Sequence, residues 1–295
     1  MSSKCGRNEW ESLVEAAEDA IDSDDYEGAA ERYRQALALA ERFQLGDECL
    51  ADSLEGFATC RSLADKSADV ESIERQASEI RDRLLAKEEA STPPDDAAIA
   101  ECLDRCASHR LREGRKSEAI RLYERALHAR RRAFGDAHFD VANSLTVLAS
   151  AYSFRDHHCA KTAELWKDAV EILESLFANT ETRTWEVVAS LTGNLENLAM
   201  RAYEHDDRDT AEGLFRRVVE VNSVYFGPEG CVQPLNSPAF ARILMHRGEF
   251  GEAEGILKAD SNDVHLATAR RQALIELYET NGRTEDAESL KCEPQ

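Results

Sequence analysis

Apolar positions along this chain recur at steps of three and four residues, with no stretch of strand-like alternation flanked by hairpin signals. The clearest segment is 134–170. There Leu145, Leu148, Ala149 and Tyr152 share one helical face, and Leu165, Trp166, Ala169 and Val170 form the next. The spacing predicts a helix ending near Phe154, a polar turn over Arg155–His158, and a second helix from about Cys159. Ala149 and Ala169 are small where two helices must approach closely. Such a pair cannot bury its apolar face alone; it needs similar pairs on either side.

The chain supplies them. Aligned on a small residue early in each second helix, the anchors are Ala29, Val70, Ala119, Thr162, Ala211, Ala253 and Ala287, at intervals of 41, 49, 43, 49, 42 and 34 residues. Upstream of most lies another small residue: Ala17, Ala58, Ala107, Ala149, Ala199 and Ala241. A bulky residue commonly follows the anchor by four, as with Tyr33, Tyr123, Trp166, Phe215 and Leu257. Seven helix pairs result. Within them, turns are expected at Asp22–Asp25, Gly114-Arg115, His205–Asp209, Gly248 and Asn281-Gly282. Ser91-Thr92-Pro93-Pro94 must interrupt helix, because proline restricts its predecessor and lacks a donor. Ser237-Pro238 reads as an N-cap followed by proline in the first turn.

The expected organisation is two N-terminal repeats over 1–90, a proline-containing joint at 91–96 and three better-matched repeats over 97–226. A loop at 227–236 and two short capping repeats over 237–295 complete it.

The segments Gly135-Asp136-x-His138-x-Asp140-Val141-Ala142 and Leu145-x-x-Leu148-Ala149-x-x-Tyr152 carry a family resemblance, and Tyr225-Phe226-Gly227-Pro228-Glu229 starts a weaker copy. They resemble the tetratricopeptide repeat family, in its kinesin-light-chain-like branch. Phe139 stands where that branch usually has proline, and Thr146-Val147 where it often has paired asparagines. The resemblance implies an all-α, right-handed superhelical solenoid whose first helices line a concave groove for an extended peptide or partner helix. Carried over by position, the groove would present Arg105, Arg112, Asn143, Thr146, Ser150, Glu196, Asn197, Met200, Tyr203 and Arg242. Asn197 matches a position where related repeats carry a backbone-binding asparagine, whose amide can both donate and accept. Chaperone-binding members clamp a terminal carboxylate with lysine, asparagine and arginine. Here Val14, Glu18, Gly56 and Glu101 occupy such positions and only Arg105 fits, so that mode is not expected.

Charge changes the picture most. The chain of 295 residues has a net charge of −22, which disfavours general binding to nucleic acid or anionic membrane. Yet residues 105–132 hold ten Lys or Arg against three acids, a net of +7 inside that acidic chain. This basic repeat either holds an acidic peptide or pairs with the acidic helices beside it. No signal-peptide core and no apolar run long enough to span a bilayer is visible, so a cytoplasmic location and eight free thiols are expected.

Candidate chemistry is sparse. There is no phosphate-cradling glycine loop, no His-Glu-x-x-His pair and no glycine-flanked serine nucleophile. Cys102, Cys106 and His109 lie at i, i+4 and i+7, and His157-His158-Cys159 sits in the adjacent repeat. Buried thiols and a surface histidine pair are the plainer reading of that grouping. No catalytic residue, cofactor or metal site is expected. The function expected is a protein–protein interaction scaffold. The alternatives are a chaperone or adaptor for an aggregation-prone client, and a metal-dependent regulator built on Cys102, Cys106, His109 and His157.

Overall fold

A computed structural model describes residues 3–64, 70–156, 159–227, 237–258 and 264–292. The described residues form fourteen α-helices and no strand. Two compact units divide the chain, 1–136 and 137–295.

The first unit holds α1 (Ser3–Asp22), α2 (Tyr26–Phe43), α3 (Asp47–Leu63), α4 (Val70–Glu89), α5 (Asp96–Arg112) and α6 (Lys116–Phe134). The second holds α7 (Phe139–Arg155), α8 (Ala160–Ala178), α9 (Trp185–Glu204), α10 (Arg208–Phe226), α11 (Ser237–His246), α12 (Phe250–Lys258), α13 (Val264–Thr280) and α14 (Thr284–Cys292). The Pro93-Pro94 segment lies inside the first unit, where Asp95 caps α5 by accepting from the amides of Ala97 and Ala98. Residues 228–236, most of the expected loop, and the His157-His158 turn fall outside the described residues.

The five pairs whose turns lie wholly within the described residues close with one turn. The residue in left-handed conformation is Asp24, Gly114, Asp206, Gly248 or Gly282. In each, the next amide reaches back five residues: Asp25 to the Ala20 carbonyl, Arg115 to Arg110, Asp207 to Ala202, Glu249 to Leu244 and Arg283 to Tyr278, all at 2.8–2.9 Å. This is the Schellman closure. It satisfies the last carbonyls of the first helix and sets the direction in which the second leaves. Asp25 and Asp207 then cap the following helix, accepting from the amides of Gly28 and Thr210.

The aligned small residues meet in the core. Ala17, Ala58, Ala107, Ala149, Ala199 and Ala241 of the first helices are buried, as are Ala29, Ala119, Thr162, Ala211, Ala253 and Ala287 of the second. Only Val70, in the degenerate second pair, is less than fully buried. Bulky neighbours supply the buried area, with Phe215 stacked on Phe240 at 5.3 Å between ring centroids.

At Gly56 the approach is closest. A Cβ there would fall inside the contact envelope of the buried Tyr33 ring. Gly56→Ala gains about 1 kcal/mol of helix propensity, yet overpacking of about 1–3 kcal/mol opposes it. The expected outcome is a net lowering of the urea midpoint relative to the parent; a raised midpoint would refute the close-approach reading.

In the C-terminal pairs, Glu254 is the hub. Lys258 Nζ lies 2.6 Å from Oε1, Tyr278 Oη donates to Oε1 at 2.9 Å and Arg283 Nη1 to Oε2 at 2.8 Å. The Lys258 bond is the main cause that holds the Glu254 carboxyl down to about 2, with partial burial opposing. A depressed carboxyl contributes stability above its unfolded value of about 4.5 and loses it as pH falls through the folded value. Glu254→Gln should therefore unfold earlier than the parent at neutral pH, with the gap closing between about pH 4.5 and 2. Thermal melts across that range check it, and a gap that persists at the acid end would contradict it.

Candidate functional site

The ten groove residues meet different fates. In the second unit, Asn143 and Asn197 are exposed on α7 and α9 and Ser150 is half-buried between them. Thr146 is spent within the fold. Its hydroxyl donates to the Ala142 carbonyl at 3.0 Å and accepts from Asn194 Nδ2 at 2.9 Å. Asn194, fully buried, also donates to the Ser190 carbonyl at 2.8 Å, so it pins α9 to α7. Glu196 corrects the expectation of an exposed inner face: it is 6% exposed and engaged within the chain. It lies one residue, about 100° of helix rotation, from exposed Asn197, which is enough to turn it inward. Tyr203 and Met200 are half-buried against the C-terminal core. Arg242 is held by a two-pronged pair to Glu276 of α13, at 2.9 and 3.1 Å.

A cavity of about 390 Å³ brings together three of the ten, Ser150, Asn197 and Met200, and not Asn143 or Tyr203; it is lined by Ser150, Ser153 and Phe154 of α7, Trp166 of α8, and Asn197, Met200, Arg201 and Glu204 of α9. The last turn of α7 carries Phe154 to the surface, where it is 66% exposed. Trp166 packs in the wall, 8% exposed, and its indole N–H has no acceptor among the described residues. Arg201 donates to the Cys159 carbonyl at 3.1 Å, bracing the start of α8. The cavity thus offers an exposed amide, two hydroxyls and a carboxylate around an aromatic and thioether surface. Sequence reasoning found Ser150, Asn197 and Met200. It missed Phe154, read as a helix end, and Trp166, read as packing alone.

Arg105 and Arg112 of α5 belong to a different arrangement in the first unit. Arg81 of α4, 3% exposed, donates through Nε to Glu55 at 2.9 Å and pairs with Asp52 through Nη2. Arg105 shares Asp52 at 3.1 Å and holds Glu101 at 2.8 Å. Arg112 lies 3.6 Å from Glu55 and 3.2 Å from His109 Nδ1. Arg110 grips Asp82 with two bonds and meets Ser78.

Burial, and then the Arg112 charge, push the fully buried His109 below the ordinary histidine value. Its Nε2 sits 3.4 Å from Glu113 without hydrogen-bond geometry. Arg125 pairs with Glu89, Arg130 with Asp104 and Arg132 with Asp96. The basic segment is therefore answered largely by carboxylates of the neighbouring helices.

Cys102 and Cys106 face burial that raises both thiols, Cys106 to about 12. No group of three or more His, Cys, Asp or Glu is placed to hold a metal ion among the described residues. His157 lies outside them.

The Arg81 pair predicts a cost when one partner is removed. Arg81→Met leaves Asp52 and Glu55 partly buried with fewer cations, and should lower stability by about 3 kcal/mol. Denaturant unfolding of the variant checks this; a change below about 0.5 kcal/mol would place the network among surface pairs of no consequence.

Stacked helix pairs closed by one repeated turn, with side chains displayed between first helices, define an all-α helix-pair repeat protein. The fold is of the tetratricopeptide-repeat type, and the tetratricopeptide repeat family model matches residues 111–140. Comparison with curated protein sequences returns no match. Among solved structures, BtubC (BKLC) from P. vanneervenii is similar at 19% identity and TM-score 0.51, over 90% of this chain and 92% of that one. A Podosopora anserina chain of nearly identical TPR-like repeats, named for a kinesin light chain, reaches 18% identity and TM-score 0.48, covering 73% and 95%. Pseudomonas aeruginosa pilF reaches 13% identity and TM-score 0.47, covering 96% and 98%.

Proposed function

We propose that this chain is a non-catalytic interaction scaffold that holds a peptide segment of a partner protein against α7 and α9. The cavity between α7, α8 and α9 carries the reading. It joins an exposed asparagine amide, suited to a peptide main chain, to an apolar wall suited to one anchoring side chain. Exposed Phe154 and half-buried Met200 supply adaptable contact. Arg105, Arg112 and Arg242, engaged with carboxylates of the chain itself, organise the helices and do not contact the ligand. The cytoplasm is the compartment we assign. The free thiols at Cys49, Cys60, Cys102, Cys106 and Cys159 suit it. Among the described residues no helix is long and apolar enough to cross a membrane.

Selection of binders from a phage-displayed random peptide library, followed by affinity measurement on purified variants, tests the proposal. Asn197→Ala should weaken selected peptides about tenfold, the worth of one or two hydrogen bonds to the main chain. Phe154→Ala should weaken them as well, with helical circular dichroism unchanged. Peptides that bind both variants as tightly as the parent would place recognition elsewhere.

A further inference from the structure

The arginines of the first unit are not all spent. On α6, Arg121, Arg125, His128 and Arg132 follow one another at steps of four, three and four residues, a single stripe along the helix. The stripe borders a groove of about 670 Å³ whose floor includes Ile99 and Leu103 of α5 and Ala129, with Glu89 and Glu124 also in its lining. It lies on the second-helix side of the unit.

The chain's own carboxylates show what the stripe accepts. Glu89, at the end of α4, pairs with Arg125, and Asp96, at the start of α5, accepts from Arg132 Nε at 3.0 Å. The Arg132 hydrogen bond holds the Asp96 carboxyl below the usual range, and the nearby His128 adds to this. Arg121, at the other end, is exposed and has no hydrogen bond or ion pair among the described residues, although Glu118 is near enough to interact with its charge.

We propose that this groove is a second docking surface, for a short acidic peptide segment in which carboxylates flank an apolar residue at alternate positions. The spacing fits. Carboxylates four residues apart on an extended chain lie about 13 Å apart, and Arg121 and His128 are about 10.5 Å apart along the helix, a difference the side chains can span. The apolar residue covers the Ile99–Leu103–Ala129 floor, while one carboxylate takes Arg121 and another approaches His128. A nucleic acid is disfavoured by charge. The residues outside 105–132 sum to −29, so a long polyanion meets more of the chain's negative charge than a short peptide, which meets the stripe together with Glu89 and Glu124.

The test uses the full chain and a fluorescein-labelled peptide with the core Glu-Ser-Leu-Ser-Glu, read by fluorescence anisotropy. The comparison peptide carries glutamine for both glutamates, and a single-stranded RNA of similar length serves as the competing polyanion. Arg121→Glu should weaken the acidic peptide about tenfold, as expected for reversing one charge at a contact. Arg75→Glu makes the same charge change on exposed α4 and should leave the affinity at the parent value. The glutamine peptide should bind the parent no better than the acidic peptide binds Arg121→Glu. The proposal is overturned if the acidic peptide fails to bind the parent, or if both arginine variants weaken it equally. Indifference to the glutamine exchange overturns it too, as does tighter binding of the RNA than of the peptide. Among the described residues Arg121 has no hydrogen bond or ion pair to lose, and Arg75 loses only an exposed pair with Glu71, so both variants should melt close to the parent temperature.

Discussion

Two helices of a pair can lie against each other only where their contact residues are small, and every other feature of this chain follows from that contact. Ala17 meets the surroundings of Ala29, Ala107 those of Ala119, Ala199 those of Ala211, each fully buried. An alanine contributes little buried area. What it sets is distance, letting the neighbouring Tyr33, Tyr123, Trp166 and Phe215 close over the contact with few voids. The repeated left-handed turn is the second half of the constraint. With the next amide tied back five residues in five pairs, the second helix has one exit direction, and the same faces remain open for the next pair. Gly56 shows the contact at its limit, because no side chain at all fits beside Tyr33.

Charge is the other ordering principle, and it explains why a chain of net −22 contains a +7 segment. The arginines of α4, α5 and α6 reach helices laid down earlier: Arg81 and Arg105 to α3, Arg110 and Arg125 to α4, Arg132 to the start of α5. In the second unit Arg217 reaches back to Glu174, whereas Arg216 reaches forward to Glu249 and Glu252 and Arg242 to Glu276. Pairs at the surface contribute little each. The buried Arg81 differs, since desolvating it is offset only by several charged hydrogen bonds made together. A helix shifted by one turn would leave those groups unmatched, so the network selects the register of stacking more than it deepens the energy.

What could be read in advance divides along the same physical line. The anchor alanines were legible because sterics and the helical period act on the same residues, and a repeat reports the coincidence several times. The groove was legible only in part. Whether Glu196 or Asn197 faces outward turns on one step of rotation, and Thr146 looked available because its partner Asn194 is 48 residues away. The arginine network was present in the sequence as two open readings, and local charge counting could not separate them. Its partners stand 26 to 53 residues apart, at distances that only the stacking of pairs brings together. Phe154 escaped notice for another reason: at the end of a helix an aromatic residue reads equally as the last core contact or as a displayed one.

The distinction that matters for recognition is therefore between polar groups the fold has consumed and those it has left. Among the first helices, Thr146, Asn194, Arg105 and Arg242 are consumed, and each ties one helix to another. Asn197 is left exposed beside the aromatic surface of Phe154 and the half-buried Met200. A consumed group cannot turn to a ligand without breaking a contact between pairs, whereas a displayed one binds at the cost of water alone. Because stacking uses the charged side chains so heavily, the surface that remains for a partner is the less charged one. On the proposed function, recognition would rest on main-chain hydrogen bonds and apolar anchors, with charge entering only where the stacking of pairs leaves a cation over.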